Sequence, residues 1–217
     1  MKIKDKNFIV EYDESLTYIP ELIENLKIHM YDILNFFGLD KLDRQRKIIV
    51  YNDLELYKEH IRKFHDYYDY MCADTNDGNV NILSLKEAHK TKEHKEMTLE
   101  NLKSTMLHEF VHCCQQATQI ENYDHDIVWF WEALATNLGN PEAFNQIPIN
   151  ASNEEISSFI ALKGNYSIAF TIGNYLLENY SHEQILDYVK YPSKLQVVSN
   201  KILNQAKEWS HNIDKAK

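Results

Sequence analysis

The period of hydrophobic and polar positions changes several times along the chain, and each change marks an element. Phe8 to Tyr12 reads as a short strand. Ser15 to Phe37 then places Leu22, Leu26, Met30, Ile33, Leu34 and Phe37 on one face of a long amphipathic helix that stops at Gly38. Lys47 to Tyr51 is a β-branched run and predicts a second strand. Asp53 can cap a following helix with Leu54, Tyr57, Ile61 and Phe64 on its apolar side. Met71–Thr75 and Asn79–Ser84 flank Asn76-Asp77-Gly78, a hairpin-type turn, and a charged loop follows from Lys86 to Met97.

From Thr98 to Thr118 there is neither proline nor glycine. Thr98 can cap a helix there, and Glu100 suits the positive end of its dipole. Leu102, Met106, Phe110, Cys113 and Ala117 form an apolar stripe flanked by Leu107, Val111 and Cys114. The opposite line, Asn101, Thr105, His108, His112, Gln116 and Gln119, is polar throughout. Such a helix is expected to be buried, with one polar line facing a cleft. Asp126 to Leu138 predicts the next helix, ended by Gly139 and Pro141. The remainder reads as helical, with capping boxes at Ser152/Glu155 and Ser181/Gln184 and a helix from Tyr166 to Leu177. The expected class is α+β. It comprises one domain with a small mixed-sheet lobe over about residues 1–117, a helical lobe over about 118–217, and a metal cleft between them.

Composition narrows the function classes. The chain has 217 residues, 44% of them hydrophobic, enough for a sizeable core, and only 5 Gly and 4 Pro. A net charge of −10 argues against nucleic acid or an anionic membrane as partner. No membrane span and no signal peptide is evident, and the first strand begins too early for a propeptide ahead of it. The three cysteines, Cys72, Cys113 and Cys114, include an adjacent pair on apolar positions of one helix. They read as core residues of a cytoplasmic protein rather than as a disulfide or zinc–thiolate framework.

The chemistry concentrates in His108-Glu109-Phe110-Val111-His112. Four residues turn a helix by about 400° and raise it by about 6 Å, so both imidazoles share a face, as a single metal ion requires. Glu109 falls at the rim of that face, beside a metal-bound water rather than on the metal. A catalytic zinc site takes a third protein ligand, and Glu132 on the next helix is the candidate. A carboxylate among Trp129, Phe130, Trp131, Ala133 and Leu134 is costly to bury unless it is paired or binds metal. His89 and His94 lie in the charged loop, which is expected to be solvated.

His108-Glu109-x-x-His112 followed by Trp129-x-x-Glu132-Ala133-x-Ala135 resembles the gluzincins, the thermolysin-like zinc metallopeptidases, over roughly residues 47 to 190. The resemblance implies a zincin-like fold with one Zn²⁺ per chain on His108, His112 and Glu132. It further implies hydrolysis of peptide bonds by a zinc-bound water that Glu109 activates. It points to Tyr166 as the catalytic tyrosine that meets the oxyanion, with His125 and Tyr123 as weaker candidates. It places an extended peptide or protein substrate along an edge strand, for which Asn79–Ser84 is the matching segment. Gluzincin aminopeptidases carry an acidic residue at that point, and Gly78-Asn79-Val80-Asn81-Ile82 has none, so an aminopeptidase is not expected. The family often places an Asp four residues after the glutamate ligand to orient an imidazole; Thr136 stands there. The competing classes are a binding or regulatory protein on the same scaffold, with the metal structural or vestigial, and a zinc hydrolase of non-peptide substrates. The oligomeric state is not written in the sequence.

Overall fold

A computed structural model describes residues 1–121, 127–139, 144–159 and 165–213. The class is α+β, with a small five-stranded mixed sheet and helices. The chain divides into two compact units, Met1–Ala117 and Thr118–Lys217.

In the first unit, strands β1 (Lys2–Lys4), β2 (Phe8–Glu11), β3 (Arg46–Tyr51), β4 (Ala73–Asp74) and β5 (Val80–Leu83) form one sheet in the order β1-β2-β3-β5-β4. The pairs β2·β3 and β3·β5 are parallel, and the outer strands β1 and β4 are antiparallel to their neighbours. Phe8, Val10, Ile48, Val80 and Ile82 are buried on this sheet. Helix α1 (Ile19–Phe36) begins later than its apolar pattern suggests, because Pro20 takes the first turn, where a missing N–H costs nothing. It ends in a Schellman motif. Gly38, with φ 67°, donates to Asn35 O at 3.0 Å, and Leu39 donates to Leu34 O at 2.9 Å.

Helix α2 (Leu54–Ile61) is capped by Asp53, which accepts from the N–H groups of Glu55 and Leu56. The segment expected to be a solvated loop contains a short helix, α3 (Leu85–Ala88), and buries Ala88, Thr91 and Met97. His89 Nε2 sits 2.7 Å from Met97 O and His94 Nε2 sits 3.1 Å from Tyr70 O, so both rings serve the backbone. Helix α4 (Leu99–Thr118) carries the two-histidine motif. Thr98 caps it by accepting from the Asn101 N–H at 3.2 Å, while Asn101 Oδ1 accepts from the Thr98 N–H at 2.8 Å.

The sheet order corrects one expectation. Asn79–Ser84 is not an edge. Its strand β5 pairs with β3 on one side and β4 on the other, so its central backbone groups are already taken. The edge on that side is β4. Leu83 N–H donates to Cys72 O at 2.8 Å, and in an antiparallel pair inward- and outward-facing residues alternate. Ala73, between Cys72 and Asp74, therefore turns its N–H and C=O to the outer side.

The second unit is helical: α5 (Val128–Gly139), α6 (Asn153–Ser157), α7 (Tyr166–Asn179), α8 (His182–Lys190) and α9 (Pro192–Ile213). Both capping boxes form, Ser152 with Glu155 and Ser181 with Gln184. Trp129, fully buried, donates from Nε1 to Ser199 Oγ at 3.2 Å and fastens α5 to α9. Helices α5 and α7 meet at Gly173, where a side-chain carbon would collide with the Asn137 amide and the Ala133 carbonyl. Asn137 bridges the pair, donating to Ala133 O at 2.9 Å and Phe170 O at 3.0 Å. No described helix is long and apolar enough to cross a membrane.

Candidate functional site

Helix α4 supplies the centre of the candidate site. Leu102, Met106, Phe110 and Cys113 are buried, and this fixes the helix rotation. His108 and His112 then fall on the half-buried polar line. Their Nε2 atoms are 3.1 Å apart, and their rings cross at 80° with centroids 4.7 Å apart. Two nitrogen lone pairs at that range repel unless a proton or a cation lies between them. Two zinc–nitrogen bonds of about 2.0–2.1 Å at a tetrahedral angle span about 3.3 Å. The imidazole spacing therefore fits a shared metal ion.

The ring of His112 has a partner on its own helix. Its Nδ1 lies 2.7 Å from Oε1 of Gln115, a residue 1% exposed and one turn along the same helix. The resemblance points to Thr136, not Gln115, as the imidazole's partner. Thr136 is fully buried on α5, and among the described residues its hydroxyl meets no hydrogen-bond partner. The signal for Gln115 was its i+3 spacing from His112, which makes the two neighbours on a helix surface.

Glu109 is 6% exposed. Its charge is felt at Cys72, the residue leading into β4. Burial first, then the Glu109 carboxylate, pushes that thiol up to about 12. Tyr57, fully buried, is held well above the usual tyrosine range by burial, then Asp74, Cys72 and Glu109.

The β4 edge is anchored twice. His60 Nε2 of α2 lies 3.2 Å from Asp74 Oδ1, which also accepts from the Asn76 N–H at 3.1 Å. Burial raises the Asp74 carboxyl above its usual range, opposed by the His60 ring. Gln116 of α4 donates from Nε2 to Thr75 O at 3.1 Å. None of these anchors was picked out from the sequence.

In the second unit, Glu132 is half-buried on α5 between Trp131 and Ala133, both buried. Tyr166 is the first residue of α7. Its ring packs against Phe144 and Phe159, with centroids at 6.0 and 5.5 Å. His125 and Tyr123 lie outside the described residues. The three cysteines are buried thiols. Compared with family models, curated proteins and solved structures, the chain matches none.

Proposed function

We propose that the protein is a zinc metallopeptidase of gluzincin type with a zincin-like fold. The observation that carries the proposal is the 3.1 Å separation of the His108 and His112 Nε2 atoms on a helix whose next residue after His108 is a buried glutamate. Glu132 is the proposed third ligand. Glu132, a half-buried carboxylate, is the ligand that the resemblance adds to the two imidazoles. Two nitrogens and one carboxylate oxygen suit zinc and leave a coordination position for chemistry.

Zinc, when bound, supplies Lewis acidity at the scissile carbonyl and acidifies water. Glu109 takes the proton from the attacking water and passes it to the leaving amine. Its burial keeps it away from bulk water. The resemblance assigns the oxyanion contact to Tyr166. The substrate is an extended peptide that adds to the outer side of β4, where the Ala73 N–H and C=O are directed, rather than to β5. The buried thiols fit a reducing compartment, and we place the enzyme in the cytoplasm.

Elemental analysis of protein purified without chelators, paired with digestion of an unstructured protein, tests this reading. One zinc per chain and chelator-sensitive cleavage are expected. Protein that neither holds zinc nor gains thermal stability from added zinc contradicts it.

A further inference from the structure

An imidazole has two nitrogens, and only the one without a proton binds a metal. The partner of the other nitrogen decides which that is. In His112 the other nitrogen, Nδ1, meets Gln115 Oε1 at 2.7 Å. An amide oxygen only accepts, so Nδ1 carries the proton and Nε2, facing His108, keeps its lone pair. Gln115 is 1% exposed, so its amide has no room to swing into solvent.

We propose that Gln115 is the positioning residue of the site: its neutral amide oxygen fixes the tautomer and ring orientation of His112 and so selects Nε2 as the ligand atom. The inference rests on the zinc reading of the histidine pair. It carries a chemical consequence. A carboxylate in this place would draw the Nδ1 proton toward itself and make the imidazole a stronger donor. The amide does so less, which leaves a bound metal more electron-poor and less tightly held. Gln115 therefore sets metal affinity without touching metal, substrate or the reacting atoms.

The test compares the full-length wild type with Gln115→Leu and Gln115→Glu by two measurements. Long-range ¹⁵N–¹H correlation spectra of metal-free protein report the His112 tautomer. Competition with a chromophoric chelator reports zinc affinity. The wild type is expected to show the Nδ1–H tautomer. Gln115→Leu is expected to lose that preference and bind zinc about 10- to 100-fold more weakly. Gln115→Glu is expected to match or exceed the wild-type affinity. An Nε2–H tautomer in the wild type overturns the inference, whether or not either variant folds. Equal zinc affinity in the wild type and Gln115→Leu also overturns it and leaves the zinc site standing. A wild type with the Nδ1–H tautomer that takes up no zinc overturns the zinc site instead.

Discussion

Gln116 donates its side-chain N–H to the backbone carbonyl of Thr75, 3.1 Å away, and so ties the helix that carries both histidines to the end of the sheet's outer strand. If peptides dock on β4, this bond holds their platform in register with the candidate metal ligands. Gln116→Leu removes about 1 kcal/mol of interaction. The expected result is a several-fold rise in KM with zinc affinity unchanged. Steady-state kinetics beside a zinc titration checks it, and weaker zinc binding with an unaltered KM contradicts it.

Ala73 gives a direct test of the docking edge. Its N–H faces outward, away from β5, so proline there spares the bonds within the sheet, and edge strands tolerate proline. Ala73→Pro is expected to raise KM about tenfold, the loss of one backbone hydrogen bond of about 1.4 kcal/mol. Zinc content and thermal midpoint should stay near wild type. An unchanged KM argues that substrate does not pair with β4.

The thiols predict a pH dependence. Burial is the main cause raising Cys72 and Cys113 to about 12, and Cys114 also lies well above its usual value. In the unfolded chain these groups ionise near 9.0, the reference value. A raised pKa means that the folded state keeps protons the unfolded state gives up. The buried thiols' contribution to stability is thus complete below that reference value and falls as pH climbs toward 12. Native protein at pH about 8 is expected to resist alkylation at all three positions. Denaturant should expose them together, as counted by mass spectrometry, and rapid native-state labelling contradicts their burial.

Gly173 predicts a packing effect in the helical unit. A side chain there meets the Asn137 amide and the Ala133 carbonyl of α5. Gly173→Val is expected to cost about 1–3 kcal/mol, because the helices must separate to admit it. Thermal unfolding reads this as a lower midpoint, and an unchanged midpoint shows that α5 and α7 do not pack closely at this position.

The elements most legible in the sequence were those whose signals are local. The α4 helix carries its own cap at Thr98, an apolar stripe and no breaker, so its span and rotation follow from nearest neighbours. The Asp53 cap, the turn at Asn76-Asp77-Gly78 and the two capping boxes are local in the same way. Strand order is not. The position of β5 between β3 and β4 depends on pairings between distant segments, which no periodicity records, and so the sequence points to Asn79–Ser84 as the docking edge. Strand β1 is a three-residue Lys-Ile-Lys stretch with too little pattern to read. In the candidate site, the histidine pair was visible as spacing. Gln115 was not, because it sits among buried residues beside Cys114 and the expected imidazole partner lay elsewhere. Its contact with the His112 ring is visible only in three dimensions.

The measurement that bears most directly on the central claim is cleavage of an unstructured protein by the wild type and by Glu109→Gln, each loaded with one equivalent of zinc. Glu109 is buried and adjoins a proposed ligand without being one, so its amide should keep the metal and lose the base. Equal zinc binding by both proteins is expected, with cleavage by the wild type and a loss in the variant of at least about a hundredfold. Zinc-loaded wild type that cleaves no peptide bond, or a Glu109→Gln variant that cleaves as fast, would contradict it.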